Sequence, residues 1–302
     1  MRVLMITGDK RMTVPGTFAH ERFLLQKDQV DALDVLLWPQ DGILKPFFIR
    51  DHHDVVTSQD PFWRGLMGWI IAKRLNAKLN VQVHADIDAQ TWVKHVLAQI
   101  VLRHADSVRV VSEKIQKQVE RISPKVKVSI LPIFVDVPKY ASVVRREHVG
   151  KNILWIGRFE EEKNPLQAIE VLKEVLKEAP DARLSMVGGG SYQEKLSQEA
   201  AGLPVEISQW QPEMSVFLDT ADVVLSTSPA ESFGASIIEA LAAGVPVVSL
   251  DVGVAREAGA VIANPGELGK KVIEVLRSDR KGELKIRLHT REEWAEAWKK
   301  TL

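Results

Sequence analysis

The sequence predicts an α/β protein with two doubly wound domains, each a parallel sheet covered by helices. Short apolar runs alternate with amphipathic helical segments along the whole chain, which is typical of strands joined by helical crossovers. The chain has 302 residues, about twice the usual length of one domain. Pro132–Pro138 has a proline at each end and no helical period, so we predict the domain boundary there.

The first half, residues 1–138, contains six apolar runs that we interpret as strands. Glu113–Ile122 has the spacing of an amphipathic helix between two of them. The predicted strands are Arg2–Thr7, Asp34–Trp38, Val55–Ser58, Val81–His84, Ser107–Val111 and Lys127–Leu131.

The second half, residues 139–282, repeats this alternation, and residues 283–302 follow it as a final helix. That helix carries Trp294 and Trp298 on one face. Asn164 precedes Pro165 and is predicted to be a helix N-cap. The predicted strands are Asn152–Ile156, Arg183–Val187, Val205–Ser208, Val223–Ser226 and Pro246–Leu250, and the helices are Pro165–Glu178, Tyr192–Ala201, Met214–Thr220, Ala235–Ala243 and Gly266–Ser278.

Charge and cysteine content exclude some function classes. Forty basic residues balance forty acidic ones, so no overall field attracts nucleic acid, and we expect no nucleic-acid partner. The chain has no cysteine, which excludes disulfides and thiolate metal sites and makes a reducing cytoplasm the expected location. The apolar run that begins at Met1 is too short for a secretory signal.

The stretch from Ser228 to Ser249 is the most informative for chemistry. A strand ends there at a turn that leads into a helix near Gly234, and glycine permits close backbone approach to a ligand. The free amides of Phe233 through Ser236 suit a phosphate at the positive helix end. Glu231 and Glu239 would lie roughly 10 Å apart, which fits one long ligand better than a glycosidase carboxylate pair. The same spacing is also compatible with solvated glutamates at a helix start.

A second motif follows the strand that ends at Gly157. Arg158 and Lys163 project from the next loop towards the carboxyl edge of the sheet. Two cations can neutralise a diphosphate as it leaves. Beside Glu160–Glu162, the same pair is also compatible with a solvated face.

Glu231-x7-Glu239, followed by Ala-Leu-Ala-Ala-Gly-Val-Pro-Val-Val, resembles the signature of glycosyltransferase family 4. The resemblance implies the GT-B fold, in which two Rossmann-like domains face each other across a donor-binding cleft and a C-terminal helix crosses back onto the first domain. It implies a hexosyltransferase that moves a sugar, with retention and without metal, from a nucleotide diphosphate sugar to a hydroxyl acceptor. The expected acceptor is a carbohydrate or lipid-linked glycan of cell-surface polysaccharide biosynthesis.

The resemblance also implies residue roles. Glu239 would hold the donor ribose and Glu231 the transferred sugar, while Arg158 and Lys163 would bind the diphosphate. Backbone amides near four residues would contact the sugar or the diphosphate, and five further positions are weaker candidates for the site. The amide positions are Phe233 and Gly234 for the sugar, and Ser236 and Ile237 for the diphosphate; the weaker candidates are His84, Gly16, Gly157, Gly188 and Trp210.

Several alternatives stay open. His84 is compatible with a contact to the sugar or phosphate, or with a structural role, and Trp210 with a base contact or the core. Asp86-Ile-Asp88 has the spacing of a metal site but lies in the first domain, so we expect no metal and no cofactor. An epimerase with the same fold, which would act on the donor alone, is one alternative function. A non-catalytic donor-binding subunit is another, and it is supported by the short first domain and by the loop Thr13–Thr17, whose only glycine is Gly16.

The segment Phe62–Arg74 is apolar with basic ends. It is compatible with peripheral contact to the inner membrane surface or to a lipid-linked acceptor. It is also compatible with a buried helix, because Gly65 and Gly68 suit close helix packing, and we favour the buried helix.

Overall fold

The computed structural model describes residues 1–211 and 213–302. These divide into two compact units, the first made of Met1–Phe134 with His289–Leu302 and the second of Val135–Leu288. Each unit contains a six-stranded parallel sheet with helical crossovers, which confirms the predicted α/β class with two Rossmann-like domains. No helix in the described ranges is both long and apolar enough to span a bilayer.

The first unit has the strand order β2-β1-β3-β4-β5-β6. Its strands are β1 (Arg2–Thr7), β2 (Ala32–Leu37), β3 (Val55–Ser58), β4 (Lys78–Val83), β5 (Ser107–Val110) and β6 (Lys127–Ile130), and its first helices are α1 (Phe18–Lys27), α2 (Trp63–Leu75), α3 (Trp92–Arg103) and α4 (Glu113–Ile122). The chain steps one way across the sheet from β1 to β2 and the other way from β3 to β6. Since parallel crossovers are right-handed, α1 covers one face of the sheet and α2, α3 and α4 cover the other.

The second unit has the strand order β12-β11-β10-β7-β8-β9. Its strands are β7 (Lys151–Arg158), β8 (Ala182–Gly189), β9 (Val205–Gln209), β10 (Val223–Ser226), β11 (Val247–Ser249) and β12 (Val261–Ile262). Its helices are α5 (Val137–Ala141), α6 (Pro165–Val175), α7 (Gln193–Glu199), α8 (Ser215–Leu218), α9 (Ala235–Ala242), α10 (Ala255–Ala258) and α11 (Leu268–Leu276). Trp155 and Phe159 stack in its core with ring centroids 5.7 Å apart.

The final helix, α12 (Arg291–Thr301), belongs to the first unit, where Trp294 and Trp298 are buried among core side chains. The predicted start at Glu283 was wrong. Thr290 and Glu293 form a capping box that fixes the helix start. Residues before it stay with the second unit, where the amide of Lys285 donates to the carbonyl of Ala258 at 3.0 Å.

Two other local expectations also differ from the structure. The division between the units falls at Phe134/Val135, inside the predicted linker Pro132–Pro138 but four residues before the expected end of the first domain at residue 138, because α5 already packs against α9. Asn164 does precede α6, but its side chain makes no capping hydrogen bond. Its backbone is left-handed, with φ of 48°, a conformation that asparagine tolerates better than most residues.

Candidate functional site

The second unit brings most of the predicted site residues to one edge of its sheet. Gly157 and Arg158 end β7, Gly188 lies near the end of β8, and Trp210 follows β9. Residues 227–234 join β10 to α9. Because all six strands are parallel, these ends share the carboxyl edge, where open α/β sheets bind their ligands.

Lys163 and Glu231 form an ion pair at this edge. The Lys163 ammonium contacts Glu231 Oε1, and the two side chains are only 20% and 16% exposed. The pair joins the loop after β7 to the loop after β10, which are 68 residues apart in the chain. A partly buried pair of opposite charges can exchange partners when a charged or polar ligand enters.

Thr227 connects the loop after β7 with the start of the loop after β10. Its hydroxyl donates to the carbonyls of Lys163 and Asn164 at 3.0 and 2.9 Å. It accepts a hydrogen bond of 2.8 Å from Trp155 Nε1 on β7. Thr227 is 1% exposed, so this network fixes the backbone of Lys163 relative to both strands.

The loop after β7 is also tied to the glycine turn after β8. Glu160 accepts hydrogen bonds from the amide and hydroxyl of Ser191 at 2.9 and 2.6 Å, and the hydroxyl bond lowers the pKa of Glu160. A Cβ added to Gly188 would lie 1.9 Å from the carbonyl oxygen of Gly157. Glycine at 188 is therefore required by the close approach of β7 and β8.

Gly234 forms the turn into α9. Its φ of 94° is left-handed, and its carbonyl accepts from the amides of Ile237 and Ile238 at 3.1 and 3.3 Å. Within residues 1–211 and 213–302, the amides of Ala235 and Ser236 make no backbone hydrogen bond. These two donors at the positive end of α9 are suited to an anion.

The side chains of Phe233 and Ile237 are both 1% exposed and belong to the core. The Phe233 carbonyl accepts from the amide of Val254 at 3.0 Å. The side chains of these two residues are therefore not available to a ligand, and the Ile237 amide already donates to the Gly234 carbonyl.

Glu239 lies one turn further along α9 and interacts with Tyr140 of α5. Tyr140 is 1% exposed. Burial raises the pKa of Tyr140 and the Glu239 carboxylate raises it further, so the phenol stays protonated beside the carboxylate. The Tyr140 hydroxyl is buried and has no hydrogen-bond partner among the described residues by distance and angle, so it is a donor available to the nearby carboxylate.

Arg158 and Trp210 are more exposed than the rest. The Arg158 guanidinium pairs with Glu162 at 2.5 Å and its side chain is 69% exposed. Trp210 is 44% exposed, so its ring is not a core side chain. A ligand that bound to Arg158 would have to displace Glu162.

His84 belongs to the first unit, directly after β4. Its Nε2 is buried and has no hydrogen-bond partner among the described residues. Burial lowers the pKa of His84 to about 3, with contributions from Arg109 and Arg22. The imidazole is therefore neutral at physiological pH, and its buried nitrogen is poised for a hydrogen bond rather than an ion pair.

The environment of His84 is cationic and held by a buried network. Arg109 of β5 is 2% exposed and donates to Gln82 Oε1 and to the carbonyls of Leu131 and Pro132, at 3.0 to 3.1 Å. Trp294 of α12 donates to the same Pro132 carbonyl at 2.8 Å. Arg109 thus anchors the chain just before it enters the second unit.

Gly16 and Asp86, two other positions of the first unit, make local contacts that stabilise its loops. Gly16 has φ of 81° and makes the turn before α1, whose first turn Thr17 caps. Asp86 accepts from Lys114 and Gln118 at 2.8 and 2.7 Å. Burial acts to raise the pKa of Asp86, but these hydrogen bonds outweigh it and lower the pKa. In the described part of the chain, no group of three histidine or acidic side chains has the placement of a metal site.

Three residues near the predicted site escaped sequence reasoning, namely Thr227, Tyr140 and Gly253. A Cβ on Gly253 would lie 2.4 Å from the Phe233 carbonyl oxygen and 3.2 Å from Glu231 Cβ, and its φ is 54°. Gly253 therefore lets the loop that carries Glu231 pack closely. The one sequence signal that could have identified Thr227 is its position directly before the motif that begins at Ser228.

Residues 150–278 match the family model described as glycosyl transferases group 1. The chain is 24% identical to the alpha-monoglucosyldiacylglycerol synthase of Streptococcus pneumoniae over 227 residues. This match covers 65% of this chain and 51% of that protein. Over 95 residues it is 34% identical to a GDP-mannose-dependent alpha-(1-6)-phosphatidylinositol dimannoside mannosyltransferase of Mycobacterium tuberculosis, covering 30% of this chain and 25% of that protein. The matched part of the chain thus spans about half the length of the first relative and a quarter of the second.

Solved structures share the fold over the whole chain. The Anabaena HepE protein in complex with UDP and glucose covers 100% of this chain and 95% of its own, with a TM-score of 0.69 and 14% identity. Sucrose-phosphate synthase from Thermosynechococcus elongatus covers 100% and 94%, with a TM-score of 0.74 and 15% identity. The chain therefore has the GT-B fold, and its residues 150–278 are similar to the glycosyl transferases group 1.

Proposed function

We propose that the protein is a retaining glycosyltransferase that moves a sugar from a nucleotide diphosphate sugar to a hydroxyl acceptor. The observation that carries this proposal is the Lys163–Glu231 ion pair at the carboxyl edge of the second sheet, beside the N-terminus of α9. It joins a cation suited to phosphate and a carboxylate suited to sugar hydroxyls, within the part of the chain that matches the family model.

In the proposed donor complex, the diphosphate replaces Glu231 as the partner of Lys163. The amides of Ala235 and Ser236 and the Arg158 guanidinium bind the remaining phosphate oxygens. Glu231, released from Lys163, accepts hydrogen bonds from the transferred sugar, while Glu239, near Tyr140, binds the ribose hydroxyls.

During transfer, the bond between the anomeric carbon and the β-phosphate oxygen breaks and its electron pair stays on that oxygen. Lys163, Arg158 and the positive end of α9 stabilise this developing charge. The acceptor oxygen attacks the same face of the sugar, and its proton passes to the departing phosphate. This scheme uses no metal and no resident cofactor.

The acceptor is proposed to be a carbohydrate or lipid-linked hydroxyl, as in cell-surface glycan biosynthesis at the cytoplasmic side of the membrane. The names of two relatives refer to glycerolipids: one to diacylglycerol and the other to phosphatidylinositol. These names support a lipid-linked acceptor for this chain as a proposal.

The test is product analysis with 13C-labelled UDP-glucose and GDP-mannose as donors and with glycolipid and oligosaccharide acceptors, each reaction being run both with and without EDTA. We expect a labelled α-linked product from an α-linked donor, with the same yield with and without EDTA. An inverted linkage, or activity that EDTA abolishes, would contradict the proposed mechanism. Interconversion of the donor sugar without transfer would instead identify an epimerase.

A further inference from the structure

One outer surface of the first unit exposes an unusual number of large apolar side chains. It is formed by the 3₁₀ turn Lys45–Phe48, by α2 and by α3, and we call it the apolar face. Phe48 is 72% exposed and Trp92 is 78% exposed. The other large exposed apolar side chains of this face are Phe47, Trp63, Ile70, Val96 and Ile100.

The three elements are neighbours in space. A Cβ on Gly65 of α2 would lie 2.8 Å from Val101 Cγ1 of α3, so the two helices pack side by side. Arg74, at the end of α2, donates to the carbonyls of Pro46 and Ile49 at 2.7 and 2.8 Å. This contact holds the 3₁₀ turn against α2, and the apolar face is continuous across all three elements.

The sequence of α3 has two apolar faces. Leu97, Ala98, Val101 and Leu102 are buried against the rest of the unit. Trp92, Val96 and Ile100 recur at intervals of four residues on the solvent side, where they are exposed. A helix on the surface of a sheet needs only one apolar face, so the second one is available for another contact.

The same surface is positively charged. Neither α2 nor α3 contains an aspartate or glutamate. Arg64 is neutralised by Asp60 at 2.8 Å. By contrast, Lys73, Lys94 and Arg103 form no ion pair within residues 1–211 and 213–302. The whole chain has no net charge, so this excess of cations is local.

We propose that the apolar face binds the surface of a bilayer that contains anionic lipids. Aromatic and aliphatic side chains beside unpaired lysines and arginines are the composition of helices that lie in the membrane interface. Lysine is depleted in protein–protein interfaces, which favours a lipid surface over a protein partner. The buried faces of α2 and α3 are occupied, so these helices lie along the bilayer with only their outer side chains inserted.

The proposal is tested by co-sedimentation of the full chain with vesicles of phosphatidylcholine, alone or with phosphatidylglycerol. We expect binding to the anionic vesicles that weakens as salt rises. Lys73→Glu with Arg103→Glu should lower the partition coefficient at least about tenfold, since each cation near such a surface contributes about 1 kcal/mol. Phe48→Ser with Trp92→Ser should lower it by at least about tenfold as well.

Matched variants in other parts of the surface control for net charge and hydrophobicity. Lys125→Glu with Lys177→Glu makes the same charge change at exposed lysines elsewhere, and Val144→Ser with Val149→Ser removes two exposed apolar side chains of the second unit. Both pairs should bind vesicles like the unchanged protein. The proposal is overturned if the unchanged protein ignores anionic vesicles, or if the control pairs lose binding equally. It is also overturned if Phe48→Ser with Trp92→Ser dissociates a dimer in light scattering without any vesicle binding.

Discussion

Replacement of Thr227 by valine tests whether this buried hydroxyl holds the proposed donor site together. Valine has nearly the same shape, so packing is retained while two hydrogen bonds are lost: the one accepted from Trp155 and the one whose proton is shared by the carbonyls of Lys163 and Asn164. Thr227 and Trp155 are 1% and 2% exposed, so water cannot replace these bonds. Leaving buried polar groups unsatisfied costs about 1–3 kcal/mol, and we expect a loss of about 2–3 kcal/mol in the free energy of unfolding.

The assay is urea unfolding followed by circular dichroism, combined with a double-mutant cycle. Trp155→Phe removes the indole donor, and the cycle with Thr227→Val should give a coupling free energy of about 1 kcal/mol. Thr13→Val, which removes an exposed local hydrogen bond, should cost less than about 0.5 kcal/mol. A loss at Thr227 no larger than at Thr13, or a coupling near zero, would refute the reasoning.

Three further predictions concern the site and the two units. Gly188→Ala should cost about 3 kcal/mol in urea unfolding because its Cβ would overlap the Gly157 carbonyl. Gly189→Ala, whose Cβ would make an ordinary contact with Gln209 Oε1 at 3.5 Å, should cost less than about 1 kcal/mol, and equal costs would contradict this. Below pH 6.5, the unfolded chain binds a proton at His84 that the folded chain excludes down to about pH 3. Stability should therefore fall on acidification by up to about 1.4 kcal/mol per pH unit, and His84→Gln should flatten this slope in pH-dependent unfolding. Lys163→Met should lower the free energy of unfolding, and the double variant Lys163→Met with Glu231→Gln should restore it, because the unpaired carboxylate is removed. Sugar transfer should stay at least about 100-fold reduced in the single and in the double variant. Restored transfer in the double variant would exclude Glu231 from the site.

Much of the fold could be predicted from the sequence because strand and helix periods are local properties. β1, β3, β10 and α4 begin and end at the predicted residues, since apolar runs with clear boundaries define them. α1 and α3 were not predicted. The apolar outer face of α3 hides the polar side that usually reveals a surface helix.

The start of α12 illustrates what local reading misses. The amphipathic pattern extends back towards Glu283, but the Thr290–Glu293 capping box ends it. The residues before it pair with the second unit instead. A contact between distant parts of the chain thus decided an element boundary.

The candidate site could be predicted only where its residues lie close together in the sequence. Glu231, Gly234 and Glu239 lie in one continuous motif, so the sequence placed them at a strand–helix turn. The contacts of Thr227 with Trp155, and of Tyr140 with Glu239, join residues about 70 to 100 positions apart in the chain. Spacing along the sequence carries no information about such contacts.

The measurement that tests the central claim most directly is calorimetric binding of UDP and GDP, and of their sugars, to the unchanged protein and to Glu239→Gln. Glu206→Gln, an exposed glutamate of the same unit, is the matched control. We predict that one nucleotide class binds, that Glu239→Gln weakens its affinity at least about tenfold, and that Glu206→Gln has no effect. Absence of binding by every nucleotide, or equal affinity in Glu239→Gln and the unchanged protein, would contradict the proposed donor site.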